Sequence, residues 1–138
     1  MSFEKITIRT TVNRSPQEVW RKWTTPEDIM AWNSASDDWH SPSATNDLRV
    51  GGAFCYRMEA KDGSYGFDFS GIYDEVVPEK KIAYTLGDDR KVVTEFTPVD
   101  GGTFITVTFD AEGENSLELQ RDGWQAILDH FKRHAEAA

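Results

Sequence analysis

The chain has 138 residues, one cysteine and a formal net charge of −9. That length suits one domain, 1–138, and the lone Cys55 excludes an intramolecular disulfide and a four-cysteine zinc site. An acidic surface repels phosphate backbones, the opening Met1-Ser2-Phe3-Glu4-Lys5 is too polar for a signal peptide, and no apolar run reaches membrane-spanning length. The expectation is a cytoplasmic protein with no membrane span and no nucleic-acid partner.

Phe3 to Val12 alternates polar and apolar residues, many of them β-branched, and predicts a first strand. Ser15-Pro16-Gln17-Glu18 then signals a helix start: Ser15 can cap, Pro16 has the φ of the first helical position, and Glu18 completes a capping box. Val19, Trp20 and Trp23 supply its buried stripe. Thr25-Pro26-Glu27-Asp28 repeats the signal for a second short helix carrying Ile29, Met30 and Trp32. Residues 33–45 are small and polar apart from Trp39 and predict a loop or lid.

From about 46 to 110 strands alternate with turn signals: Gly51-Gly52, Asp62-Gly63, Pro78-Glu79, Gly87-Asp88-Asp89 and Asp100-Gly101-Gly102. The strands are expected at 53–60, 66–77, 80–86, 90–97 and 103–110, with a short one near 46–50, as an antiparallel meander. A last helix runs from about Asn115, with Asn115 and Glu118 resembling a capping box, to Ala135. Leu117, Gln120, Trp124, Ile127, Leu128 and Phe131 form its stripe. Gly123 interrupts it at a cost of about 1 kcal/mol relative to Ala, explained by packing relief or by close approach of the sheet or a ligand. This order predicts an α+β fold in which a curved antiparallel sheet of about six or seven strands wraps around a long C-terminal helix.

Strand parity sorts the aromatic residues onto one face. Phe54, Tyr56 and Met58 share a side, as do Phe67, Phe69, Gly71 and Tyr73, then Ile82, Tyr84 and Leu86, then Val92, Thr94 and Phe96. The strand 103–110 is apolar on both faces, and its parity stays open. Rings at this spacing ordinarily fill a core, yet several buried phenols each need a hydrogen-bond partner, which suits a cavity holding a polar ligand or water. The expected ligand-binding residues are Trp32, Trp39, Phe54, Tyr56, Met58, Phe67, Phe69, Tyr73, Tyr84, Phe96, Trp124 and Leu128.

Other chemistry has thin support. Glu75 shares parity with Tyr73, but a bulge or strand end would leave it solvated. His40 beside Asp37 and Asp38 reads as solvated, and His130 and His134, one turn apart, lack the acid of a zinc-protease motif and suit the helix C-terminus. There is no Gly-x-Ser-x-Gly elbow, Cys55 points outward without a His partner, and Gly51-Gly52 is a turn rather than a nucleotide loop. Lys80-Lys81 and Arg90-Lys91 read as charges guarding strand edges. No catalytic residue, metal or cofactor is expected.

An ordered set of segments carries a resemblance: Ser15-Pro16-Gln17-Glu18-Val19-Trp20, Trp23-Thr24-Thr25-Pro26-Glu27, Asp47-Leu48-Arg49-Val50-Gly51-Gly52-Ala53-Phe54, Asp62-Gly63 before Phe69-Ser70-Gly71-Ile72-Tyr73, Val76-Val77-Pro78-Glu79-Lys80-Lys81-Ile82, and Gly123-Trp124. From about Ile8 to Phe131 the chain resembles the START-like (SRPBCC) superfamily and, within it, the activator of heat-shock protein 90 ATPase homologue-like branch. Trp32-Asn33 departs from the pattern of many relatives, which carry Trp followed by a short Pro-containing stretch. The resemblance implies a helix-grip fold with a cavity, and relatives that bind lipids, sterols, polyketides or other hydrophobic molecules. Three functions follow as expectations. The first is a carrier or sensor of a small hydrophobic or aromatic ligand, monomeric or a weak homodimer. The others are a cyclase- or hydrolase-like enzyme using the same cavity, and a co-chaperone-like or stress-related interaction module.

Overall fold

In the computed structural model, which describes residues 3–137, the elements follow in the order β1 (Lys5–Val12), α1 (Pro16–Thr24), α2 (Pro26–Trp32), β2 (Trp39–Asn46), β3 (Ala53–Ala60), β4 (Gly66–Val77), β5 (Lys81–Leu86), β6 (Lys91–Val99), β7 (Gly102–Asp110) and α3 (Leu117–Glu136). All seven strands form one antiparallel sheet in the order β1-β7-β6-β5-β4-β3-β2. Only the β1–β7 pairing is non-sequential, so the first strand closes the meander beside the last. The sheet curls round α3, which lies against β1 and meets α1 and α2 at its C-terminal half. This is the sheet-around-helix arrangement expected from the element order, and the helix-grip fold that the resemblance implies.

The two short helices begin where the sequence predicts, but the Glu18 carboxylate pairs with Arg14 at 3.9 Å rather than closing a capping box. The Thr25 hydroxyl donates to the Arg21 carbonyl at 2.6 Å rather than capping α2. The Ser15 hydroxyl accepts the Glu18 N–H at 3.2 Å, and Pro16 and Pro26 each open a helix. Val19 and Ile29 are buried, but Met30 is exposed rather than part of the stripe. The Trp32 indole N–H donates to the Lys22 carbonyl at 2.9 Å and ties the pair together.

Three expectations about element placement fail. Residues 39–46 are strand β2, not part of a lid, and 46–50 lead into a turn instead of forming a strand. β2 is an edge strand that pairs only with β3, shifts register between His40 and Ser43, and buries little on either face. An edge tolerates Pro42 and needs no apolar alternation, so composition hid it. The cap of α3 is Ser116, which accepts the Leu119 N–H at 3.1 Å, and not Asn115; Leu117 is exposed.

The inward faces follow the expected parity. Phe54, Tyr73, Ile82, Leu86, Val92, Thr94 and Phe96 are buried, and β7, whose parity stayed open, turns Thr103, Ile105, Val107 and Phe109 inward. Gly71 is required where it stands: a Cβ there would lie 2.8 Å from the Thr85 carbonyl oxygen and 3.0 Å from the Phe54 ring. Gly123 is different. A Cβ at Gly123 meets nothing within 4 Å, so neither packing relief nor close approach of the sheet explains it. Gly123→Ala is therefore expected to stabilise the protein by about 0.5–1 kcal/mol through helix propensity. A urea midpoint that falls in this variant would contradict it.

Candidate functional site: a cavity between the sheet and the C-terminal helix

β3 to β7 and α3 do not close completely on each other. Between them lies a cavity of about 340 Å3, partly open to solvent. Its size falls at the low end of the roughly 300–1,000 Å3 typical of small-molecule sites. Trp23, Trp32, Asn33 and Met58 are among its lining residues. Asn33 and Met58 are both buried, and the Asn33 side-chain amide donates to the Met58 sulfur at 3.1 Å. The mouth is marked by the exposed members of the lining, Phe67 and Asn115, with Arg90 and Glu112 beside them.

Nine of the twelve expected site residues line this cavity: Trp32, Tyr56, Met58, Phe67, Phe69, Tyr73, Tyr84, Trp124 and Leu128. The other three do not. Phe54 faces the right way but sits behind the wall, its ring 5.0 Å from Tyr56, 5.3 Å from Tyr73 and 4.7 Å from Tyr84. Phe96 is core, with Trp20 and Trp23 each 5.6 Å away edge-on. Trp39 lies outside, packed against Tyr65 at 6.0 Å and Phe67 at 6.1 Å. Parity gives the face of a strand residue, not its depth in the wall.

The aromatic wall is held rigid by ring contacts. Trp124 stacks on Phe109 with centroids 3.9 Å apart and planes 10° from parallel, and its other neighbour Phe69 meets it edge-on at 5.9 Å. The polar part of the wall was mostly missed by the sequence. Arg90 carries the same parity as Val92, Thr94 and Phe96, and that signal could have placed it inside; it lines the cavity instead of guarding an edge. Its Nε donates to Asp88 at 2.7 Å, and its side chain is only 19% exposed.

Gln120 and Glu112 face the mouth but are occupied. The Gln120 amide accepts the Glu112 N–H at 2.8 Å and donates to the carbonyls of Glu112 and Asn115 at 3.1 and 2.9 Å. The Glu112 carboxylate accepts the N–H groups of Asn115 and Glu114 and the Asn115 side-chain amide, at 2.6, 3.1 and 2.9 Å. The Asn115 backbone N–H is the leading reason its carboxyl is held below the ordinary value.

The phenols differ in their partners. Tyr73 donates to the Asn46 side-chain oxygen at 2.5 Å, and Asn46 in turn donates to the Thr24 carbonyl at 2.8 Å, which links the cavity floor to the end of α1. The Tyr84 hydroxyl has no protein partner among the described residues. Burial raises all three phenol pKa values: Tyr84 far above the ordinary value, Tyr56 well above it with Tyr73 adding to the effect, and Tyr73 by less. A phenol in the unfolded chain ionises near pH 10. Above that pH the unfolded chain loses protons that the folded chain retains, so stability is expected to fall as pH rises. Urea midpoints measured from neutrality to pH about 11 check this, and Tyr84→Phe is expected to flatten the decline. A flat profile in the natural protein would contradict it.

The remaining candidates are placed away from the cavity. Glu75 follows a β-bulge at Tyr73/Glu75 and pairs with Lys81 at 3.1 Å on the surface, which is the solvated outcome. His40 lies 3.8 Å from Glu59 in the open. His130 Nδ1 hydrogen-bonds the Ser34 carbonyl at 3.1 Å, and His134 pairs with Asp28 at 2.9 Å, so each histidine ties α3 to the α2 region rather than to the other. No group of three or more potential metal-ligating side chains occurs among the described residues. None of the described helices is long and apolar enough to cross a membrane.

Comparison with known proteins agrees with this architecture. The family described as Activator of Hsp90 ATPase homolog 1-like protein matches residues 13–136. The chain belongs to that family. It is 29% identical over 136 residues to the mouse protein named Activator of 90 kDa heat shock protein ATPase homolog 1, covering 88% of this chain but 33% of the mouse protein. The chain thus spans about a third of that relative's length. Among solved structures, an AHSA1-like protein from Aeromonas hydrophila is 43% identical with a TM-score of 0.91, over 96% of this chain and 92% of that one. A protein from Cytophaga hutchinsonii is 49% identical with a TM-score of 0.84, over the same shares of the two chains, 96% and 92%.

Proposed function

We propose that this protein binds one small hydrophobic or aromatic molecule in the cavity between sheet and α3, as a cytosolic carrier or sensor. The observation that carries the reading is the cavity itself. A space of about 340 Å3 stays open between the rings of the sheet and α3, whereas well-packed interiors leave few voids larger than a water. Its wall is mainly rings and aliphatic chains with a few polar groups, the composition of small-molecule sites. Catalysis by the same cavity has less behind it. The phenols are held neutral at physiological pH and the Glu112 carboxylate is taken up by its own loop, leaving a poor set for proton transfer.

A fluorescence titration with 1-anilinonaphthalene-8-sulfonate, an aromatic probe that brightens in apolar surroundings, tests the reading. Saturation at one probe per chain, reversed by a competing apolar aromatic compound, is the expected result. A probe that stays dark, or that binds without saturating, overturns it.

One observation favours a second reading, a co-chaperone-like interaction module. Trp39, Tyr65 and Phe67 form an outer cluster of rings, with Tyr65 63% exposed, and exposed apolar clusters mark interaction surfaces. Its test is the ATPase rate of a 90-kDa heat-shock chaperone with and without this chain. A rate that rises and returns to baseline with Tyr65→Ser supports the reading; no change removes it.

A further inference from the structure

Arg90 and Tyr84 stand together on the concave face. β5 and β6 pair Tyr84 with Val92 and Thr85 with Lys91, and the Leu86 N–H donates to the Arg90 carbonyl at 2.8 Å, so Arg90 continues the register opposite Leu86. That makes Arg90 the diagonal neighbour of Tyr84 on the same face, about 7–8 Å away between backbones and within reach of long side chains. Both line the cavity, and Arg90 is the one cation among its lining residues.

Both also have donors to spare. Asp88 engages the Arg90 Nε, while the two terminal guanidinium nitrogens have no protein partner among the described residues. Glu112 does not claim them, because its carboxylate is satisfied by Asn115 and Glu114. No fully buried side-chain nitrogen or oxygen among the described residues lacks a partner, so the free Arg90 nitrogens and the Tyr84 hydroxyl reach open space. A guanidinium can only donate. Arg90 thus pairs with Asp88 through one nitrogen and reaches Glu112 through its charge alone, which leaves the terminal pair of nitrogens unengaged.

We propose that Arg90 and Tyr84 form a head-group subsite near the mouth of the cavity, and that the ligand carries an acceptor oxygen, carbonyl or carboxylate, on an otherwise apolar body of one or two rings. The body lies against Phe69 and Trp124, and the oxygen takes hydrogen bonds from the guanidinium fork and the phenol. This rests on the cavity being a ligand site, and the experiment separates the two claims.

Three probes of one shape are compared by calorimetric titration: 2-ethylnaphthalene, 2-acetylnaphthalene and 2-naphthoate. The acetyl and carboxylate compounds are expected to bind at least about tenfold more tightly than the ethyl compound, since a hydrogen bond to a charged group is worth that much or more. Arg90→Met and Tyr84→Phe, each checked for a natural-like amide spectrum, are expected to weaken the two oxygen-bearing probes about tenfold and the ethyl compound less than threefold. If the carboxylate outbinds the ketone and Arg90→Met removes that excess, the head is ionic; if the two bind alike, a neutral carbonyl suffices. Equal affinity for all three probes overturns the subsite and leaves the cavity reading standing. Binding by none of them overturns both.

Discussion

Replacing Phe131 with Ala is expected to remove about 3–5 kcal/mol of stability, the usual cost of emptying a fully buried phenylalanine site. Phe131 is 0% exposed, with Trp23 at 4.7 Å and Trp32 at 5.1 Å, both edge-on. The indole of Trp32 is pinned by its bond to the Lys22 carbonyl, so the rings cannot easily swing into the vacated space. A domain of this kind is stable by about 5–15 kcal/mol in all, so a large share would be lost. Urea unfolding measures it directly. A loss under about 1 kcal/mol would mean that the contact holding α3 to α1 and α2 is not the joint described here. Phe131 lies outside the cavity lining but supports two of its members, Trp23 and Trp32, so the loss is read by unfolding and not by ligand binding.

Ile127→Trp is expected to reduce binding of 1-anilinonaphthalene-8-sulfonate at least tenfold. Ile127 is half-buried on α3 and lines the cavity. An indole there would occupy space needed by a ligand in a cavity of about 340 Å3. Overpacking of this sort costs about 1–3 kcal/mol, which a domain of ordinary stability tolerates. Undiminished binding in a folded variant would place the probe somewhere else.

Much of this architecture is legible in the sequence because short-range chemistry sets it. Ser15-Pro16 and Thr25-Pro26 start helices wherever they are followed by apolar periodicity, and they do so here. Period-two alternation turns Tyr56, Phe69, Tyr73 and Tyr84 to one side, and glycine-bearing turns separate the strands that carry them. What was not legible depends on position in the assembled sheet. Residues 39–46 look like a loop because an edge strand need bury neither face. Phe54 and Phe96 share the parity of the lining residues yet are covered by other rings, Phe54 by Tyr56, Tyr73 and Tyr84 and Phe96 by Trp20 and Trp23, which alternation does not record. Arg90 was hidden by its neighbour Lys91: two adjacent cations look like edge protection, although adjacent residues on a strand face opposite ways. Whether the rings fill their own cavity is a question of ångströms in the placement of α3, and no pattern in the chain encodes it.

The most direct test of the ligand-binding account is a two-dimensional amide NMR titration of the protein with 2-acetylnaphthalene. The account predicts saturable shifts concentrated at Tyr56, Tyr84, Arg90, Trp124 and Leu128, which line the cavity from both the sheet and α3. Shifts confined to Trp39 and Tyr65 on the outer face, or no shifts up to the solubility of the probe, would contradict it.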